Sequence, residues 1–176
     1  AARSAAIQRA LDMMSAAGIN LDVIDIPEMA QRNLASLLPE DAKGVVLLSF
    51  TPSGGLITIS KQAEIYLSRN IDIGLDMMAS FQDTNELFDR IVLEVQRSLD
   101  YYDSHYRQAT ISTIALAPMP REVPGLVDYL KANLSASVIA MDLTKLMECE
   151  VEIKPELQSA CLSVLGAALR QEERAL

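Results

Sequence analysis

The sequence has little of the side-chain chemistry on which most enzymes depend. It contains one histidine, two cysteines and no tryptophan among 176 residues. The single histidine, His105, cannot form a histidine-based metal cluster, and most Ser-His and Cys-His nucleophile systems would lack parts. We interpret His105 as a half-exposed residue near the C-terminus of a helix, where a cation is mildly favoured.

Disulfide and membrane signals are also scarce. The two cysteines, Cys149 and Cys161, lack Cys-x-x-Cys spacing, which is typical of a reducing compartment. We expect both to be buried small hydrophobic side chains. No apolar run approaches the ~18 residues of a membrane-spanning helix, and no signal peptide opens the sequence. The sequence therefore predicts a soluble domain that would reach a membrane only through a partner.

Positive charge is in short supply. The sequence has 15 Lys and Arg residues but 24 Asp and Glu residues, and the formal net charge is -9. A surface of that sign repels nucleic-acid phosphates and anionic lipids, so neither is an expected partner. Glu148, Glu150 and Glu152 could together bind a cation, but we interpret their alternate spacing as the solvated face of a loop.

Apolar residues, by contrast, are abundant. They make up 50% of the sequence, which is enough for a sizeable core in a chain of this length. Because the sequence begins at Ala1 rather than Met, we interpret it as a fragment or a processed form. We divide it into a helix-strand-helix segment over residues 1–40 and a main unit over residues 41–176.

The first segment opens with a clear helix pattern. Apolar residues recur at helical spacing in Ile7, Ala10, Leu11 and Met14, and Gly18 supplies a left-handed helix end. Residues 21–26 then predict a strand. A second helix opens at residue 27 and is broken by the proline at residue 39. We expect residues 3–26 to pack against a portion of the protein outside this sequence.

The main unit begins with three strand patterns joined by tight turns. A near-continuous apolar run over residues 45–51 is typical of a strand covered on both faces. Turn residues at 52–55 lead to a second strand that begins at 56–59. A polar turn at Lys61 and Gln62 leads to a third over 64–69, which continues to residue 73. These patterns predict an antiparallel meander.

Helices and strands alternate in the rest of the chain. Asp83 and Glu86 form a capping box for a long helix that reaches about His105. A strand over 111–117, a helix opened by Pro124, a strand over 137–140 and a helix opened by Pro155 follow. The final helix is predicted to turn Leu157, Ala160, Cys161, Val164, Leu165 and Ala168 inward.

From residue 45 the predicted order is β-β-β-α-β-α-β-α. Antiparallel strands come first and crossover helices later, so we expect a mixed sheet whose later strands are parallel. This α/β order resembles the ribonuclease-H-like unit that occurs twice in the actin-like ATPase superfamily. The acidic loop over residues 141–154 is expected to contain at most a short helical turn.

Particular residues sharpen the resemblance. Residues 94–102 look like the long helix of the PilM-like type IV pilus assembly proteins, and Gly125-Leu126, residues 165–170 and the opening helix and strand fit the same family. The nearest members are those of mannose-sensitive haemagglutinin (MSHA) pilus biogenesis. The resemblance covers essentially the whole sequence but only the second half of such a protein. It implies that the half with the first phosphate loop lies outside this sequence.

The resemblance also implies a phosphate-binding hairpin whose residues have changed. The family pattern is Asp-x-Gly, in which the carboxylate organises metal and water and the glycine lets backbone amides approach phosphate. Here Ser49 and Thr51 stand at those two places. The glycines follow later, and Ser53, Gly54 and Gly55 are the residues that would contact a nucleotide if one were bound.

The adenine-binding turn of the family is altered as well. It normally carries glycines after the strand that here spans residues 111–117. Residues 117–122 instead contain Pro118 and Pro120, which remove amide donors and add bulk. We therefore expect a protein that is not an enzyme and needs no cofactor or metal. The alternative is an actin-like ATP-binding protein whose cleft needs the other half. A metal-dependent hydrolase is disfavoured because residues 45–51 lack a carboxylate.

For function, the resemblance implies a scaffold rather than a catalyst. PilM-like proteins lie at the inner membrane and receive the cytoplasmic tail of a PilN-like bitopic membrane protein in a groove. A net-negative receptor suits a tail that contains Lys or Arg, because complementary charge steers encounter. The residues of that groove and the oligomeric state, including a homo-oligomer, stay open at this point.

Overall fold

A computed structural model describes residues 4–21, 23–80, 84–106, 109–147 and 149–171. Its strands are β1 (Val45–Phe50), β2 (Gly55–Lys61), β3 (Glu64–Ile71), β4 (Thr113–Leu116) and β5 (Ser137–Ala140). Its helices are α1 (Ser4–Ala16), α2 (Pro27–Ala35), α3 (Leu75–Ser80), α4 (Thr84–Tyr106), α5 (Leu126–Asn133), α6 (Leu143–Leu146) and α7 (Pro155–Ala168). A 3₁₀ turn, Pro39–Ala42, precedes β1.

The strands form one mixed sheet in the order β3-β2-β1-β4-β5. The first three are antiparallel neighbours, whereas β4 is parallel to β1 and β5 is parallel to β4. The predicted α/β class, the mixed sheet with parallel later strands and the order of the five strands along the chain are therefore confirmed. The short helices α3 and α6 are additions to the predicted order, and α6 lies in the loop where a helical turn was expected.

The sheet separates two apolar layers. Val46 and Leu48 of β1 point into the layer that contains Ile91 of α4. Val45 and Leu47 point to the opposite face, into the layer that contains Leu34 of α2. Because successive side chains of a strand alternate between faces, a strand covered on both sides needs an unbroken apolar run. This requirement explains why the sequence of β1 is almost entirely apolar.

The strand predicted over residues 21–26 does not form within the described residues. Asp22 lies outside them, and residues 21 and 23–26 pair with no strand. The backbone of Ile26 is extended (φ -119°, ψ 152°), but strand hydrogen bonds need a neighbouring strand. Six large apolar side chains of this opening segment are 39–63% exposed: Leu11, Met13, Ile19, Val23, Ile24 and Ile26.

One helix start differs from the sequence prediction. Pro124 does not open α5, because Gly125 adopts a left-handed conformation (φ 80°) and the helix begins at Leu126. Asp83, the proposed cap of the long helix, lies outside the described residues. His105 lies in the last turn of α4, as predicted, and is exposed with its ring stacked on Tyr101 at a centroid distance of 3.8 Å.

The predicted inner face of α7 is partly wrong. Leu157 and Val164 are 56% and 70% exposed, and Ala160 and Ala168 are exposed as well. The inner face carries the buried Gln158, which bonds the loop around α6, and the buried Gly166, which lies against α2. The partly buried Leu162, Leu165 and Leu169 pack on the same side. Cys161 is half-buried, as is Cys149, so both thiols are less covered than expected. Among the described helices, none is both long and apolar enough to cross a lipid bilayer.

Candidate functional site at the first hairpin

The loop between β1 and β2 is closed by its own hydrogen bonds. The Thr51 backbone N–H donates to the Gly54 carbonyl oxygen at 2.7 Å. The Thr51 hydroxyl donates to the same carbonyl at 3.0 Å and accepts from the Gly54 backbone N–H at 3.2 Å. The threonine hydroxyl therefore occupies an amide donor that an anion would need in order to bind at this loop.

Helix α3 supports the same loop from behind. The backbone N–H groups of Leu75 and Asp76 donate to the carbonyls of Thr51 and Pro52 at 3.0 and 3.1 Å. Gly74 allows this approach, because a Cβ atom at that position would lie 2.2 Å from the Pro52 carbonyl oxygen. Backbone contacts thus fix the position of the loop against α3.

The turn after β4 lies beside the hairpin, because β1 and β4 are parallel neighbours that end at the same edge. The sequence resemblance predicts an altered adenine-binding turn at this position. Ala117 is buried, and Met119 packs against the core on the α4 side. The Arg121 guanidinium donates to the Leu75 carbonyl of α3 at 3.3 Å. Pro118 and Pro120 leave this turn without two backbone amide donors.

A cavity of about 370 Å³ opens next to the hairpin, between α2, α7 and the end of β3. We call it the hairpin cavity. Ser53, Gly54 and Gly55, the residues predicted to contact a nucleotide if one binds, all line it, as does Ser49. Six of its other lining residues are apolar: Ala30, Leu34, Phe50, Leu56, Ile71 and Leu162.

The hairpin cavity has little charge. Among the residues that the structure describes, Asp72 is the only charged one that lines it. Proteins hold a nucleotide triphosphate with Lys or Arg, with free backbone amides and with metal ions bound by carboxylates. In the described parts of the chain, no group of three or more His, Cys, Asp or Glu side chains is placed to hold a metal ion. The residues of this cavity therefore do not fit a magnesium–nucleotide complex.

Sequence reasoning missed several polar residues of the cavity wall, among them Gln31 and Asp72. Gln31 is 3% exposed, and its side-chain amide donates to the carbonyls of Leu47 and Leu56 at 2.8 and 3.3 Å. Its position next to Ala30, on the apolar side of α2, could have indicated that the Gln31 side chain is buried. Asp72 falls in the turn after β3, which ends at Ile71 rather than continuing to residue 73.

The strand order, with helices on both faces and the hairpin at the end of the first strand, defines an actin-like α/β unit of the ribonuclease-H type. Solved structures share this fold. One is described as the PilM-PilN type IV pilus biogenesis complex, with a TM-score of 0.69 and 17% identity over 94% of this chain. Another is the ethanolamine utilization protein EutJ from Carboxydothermus hydrogenoformans, with a TM-score of 0.55 and 14% identity over 91% of this chain.

The match spans 59% of each of those two chains. No protein-family model matches the sequence. No curated protein matches it either. The similarity to solved structures therefore establishes the fold.

Proposed function

We propose that this chain is part of a non-catalytic, actin-like scaffold of the inner-membrane platform that assembles a type IV pilus. The fold that it shares with the PilM-PilN complex supports this assignment. Within that class we favour a pilus of the MSHA type and a protein similar to MshI, on the sequence motifs of the long and final helices. The scaffold is cytoplasmic and peripheral to the inner membrane, which it reaches through a partner.

The hairpin cavity is the observation that carries the non-catalytic part of the proposal. Its single charged residue, within the described part of the chain, is the acidic Asp72. The Gly54 amide at its edge is already bonded to the Thr51 hydroxyl. A site for an anionic nucleotide would need positive charge and free donors at these positions.

The proposed partner is a PilN-like bitopic membrane protein, bound through its cytoplasmic tail. The formal charge of -9 favours a tail that contains Lys or Arg. Complementary charges raise the rate of encounter and disfavour wrong partners. The interaction should weaken as salt rises, because exposed charges are screened over about 8 Å at physiological ionic strength.

A binding assay tests this proposal. The complete protein is titrated with peptides of the N-terminal cytoplasmic tails of its neighbouring inner-membrane components. We expect one tail to bind, and we expect a matched peptide with Glu in place of Lys and Arg to bind at least about tenfold more weakly. Failure of the complete protein to bind any of the tails would contradict the scaffold proposal.

A second candidate is an actin-like ATP-binding protein whose cleft is completed by another part of the protein. One observation favours it: the hairpin cavity lies against Ser53, Gly54 and Gly55, where the family binds phosphate. In that case the residues outside this chain would have to supply the positive charge. Binding of Mg-ATP by the complete protein separates this candidate from the first.

A further inference from the structure

The hairpin cavity contains two nearly buried polar side chains whose hydrogen-bonding capacity is not used up. Gln31 is 3% exposed and Ser49 is 9% exposed, and both line the cavity. The Gln31 amide donates to the carbonyls of Leu47 and Leu56, which uses both of its N–H bonds. Its side-chain oxygen and the Ser49 hydroxyl have no partner among the residues that the structure describes. Because buried polar groups are normally hydrogen-bonded, these two point to a ligand.

The two groups select a ligand that donates hydrogen bonds. The Gln31 amide cannot turn over, because its oxygen would then lie against two carbonyl oxygens, so it presents an acceptor to the cavity. The Ser49 hydroxyl accepts as well. Asp72, which lines the same cavity, adds an exposed carboxylate that has no ion pair within the described residues. An ammonium or guanidinium group matches these acceptors, because it carries several donors and no acceptor.

The remaining wall of the hairpin cavity suits an aliphatic stem. Leu34, Leu56 and Leu162 line it. Lys and Arg side chains bury their methylene stems along apolar surface and keep the charged end in polar surroundings. The cavity volume of about 370 Å³ is at the lower end of the roughly 300–1,000 Å³ range of ligand pockets. The cavity therefore fits a basic side chain.

The cavity lies at the end of a free sheet edge. β3 is the outermost strand of the described sheet. Counted along the register from the Leu48 carbonyl, which bonds to the turn after β4, the backbone groups of Ser68 and Asn70 face away from β2. These outward groups have no hydrogen-bond partner in the part of the chain that the structure describes. The Tyr106 hydroxyl covers the edge at the Tyr66 carbonyl at 2.7 Å, so the free edge runs from Ser68 to Asn70, which lines the cavity.

We propose that the cytoplasmic tail of the membrane partner pairs with the free edge of β3 and inserts a Lys or Arg side chain into the hairpin cavity. This inference rests on the proposed function and gives the tail a place on this chain. A peptide that adds to a sheet edge gains main-chain hydrogen bonds, and its alternate side chains enter pockets beside the strand. A residue opposite Asn70 has its side chain on the same face as Asn70. Its stem would enter the cavity, and its charged end would meet Gln31, Ser49 and Asp72.

Variants at exposed positions test the cavity. The complete protein is titrated with the tail peptide that binds the wild type. Ser163→Arg places a positive charge on the α7 wall of the cavity and should weaken binding at least about tenfold. Ser104→Arg makes the same charge change at an exposed position of α4 outside the cavity and should change binding less than about threefold, because distant charges are screened. Asp72→Asn should also weaken binding, and its matched control Asp100→Asn should not.

The pairing with β3 is tested on the peptide. A series of tail peptides carries one N-methyl group each, on successive backbone amides, and each methyl group removes one donor. Because alternate residues of a strand face its neighbour, binding should be at least about tenfold weaker at every second position and nearly unchanged at the positions between. A tail bound as a helix or an irregular loop does not give this alternation.

The outcomes separate this inference from the proposed function. If the tail binds the wild type but Ser163→Arg and Ser104→Arg bind it equally well, the inference is wrong and tail binding stands. Loss of affinity without the alternation along the methylated peptides overturns the inference in the same way. A wild-type protein that binds no tail contradicts both proposals. Thermal unfolding confirms that each variant is folded.

Discussion

Gly166 of α7 lies in close contact with the backbone of α2. A Cβ atom placed there would lie 2.2 Å from the Ala30 carbonyl oxygen and 2.9 Å from the Ala30 Cα atom. The Asn33 side-chain amide donates to the Gly166 carbonyl at 2.8 Å across the same contact. Helices α2 and α7 therefore meet backbone to backbone, and no flexible side chain can move to make room.

We expect Gly166→Ala to destabilise the fold by about 1–3 kcal/mol, because α7 must move away from α2. The direction of this stability change is informative, because replacing glycine by alanine inside a helix normally stabilises the helix by up to about 1 kcal/mol. Denaturant unfolding measures the difference. The control Ala160→Met enlarges an exposed residue of α7 and should change stability by less than about 0.5 kcal/mol. Unchanged or higher stability of Gly166→Ala would show that the two helices are not in close contact.

At the scale of elements, Glu94 joins strand β3 to helix α4. Burial alone would raise the pKa of this carboxyl, but hydrogen bonds and charge attraction from Arg69 and Arg97 outweigh it and hold the pKa below its ordinary value of 4.5. The charged form is thus favoured in the folded state. Its stabilising contribution is complete above about pH 4.5 and is lost as the pH falls through the lowered pKa.

We expect Glu94→Gln to be less stable than the wild type at pH 7, and the difference to shrink below pH 4.5, where the wild-type carboxyl also becomes neutral. Denaturant unfolding at a series of pH values measures both. Glu64→Gln in the exposed start of β3 is the matched control, and its stability difference should change little with pH. A Glu94→Gln difference that stays constant down to about pH 3 would contradict the role of the ion pairs.

The turn between β2 and β3 shows what local sequence can and cannot predict. The polar residues at 61–62 predict a turn, but Gln62 and Ala63 both have positive φ, at 51° and 59°, without the usual glycine or asparagine. Asp41 stabilises this turn from the preceding 3₁₀ segment. Its carboxylate accepts from the Ser60 hydroxyl at 3.2 Å and from the Ala63 N–H at 2.8 Å. The stabilising contact comes from distant sequence, so a local pattern does not reveal the turn type.

The inner face predicted for α7 is partly wrong because a contact with distant residues, not the local pattern, decides which side is buried. Its apolar stripe suggested an inner face, yet Gln158 is 4% exposed on the side that packs. The Gln158 amide donates to Asp142 and Ile153 and accepts from the Leu143 N–H, which fastens the loop containing α6. A buried polar side chain with several partners breaks the rule that the apolar face is the inner face.

At the scale of the whole molecule, the sequence predicted the sheet better than the site. Apolar runs and turn residues are local signals, and they placed all five strands of the described sheet. The hairpin glycines were placed through the family resemblance, and the structure brings Ser53, Gly54 and Gly55 to one cavity. The other walls of that cavity come from α2 and α7, and only the fold brings these distant segments together.

The central proposal is that the hairpin cavity, which no described Lys or Arg lines, does not bind Mg-ATP. Thermal unfolding of the complete protein with and without Mg-ATP tests it most directly, with Ser53→Asp as a variant that adds negative charge at the hairpin. A ligand at 100 times its dissociation constant adds about 2.7 kcal/mol of stability, which such a measurement detects. We predict no change in the unfolding temperature at millimolar Mg-ATP. Stabilisation of the wild type that Ser53→Asp abolishes would contradict the claim.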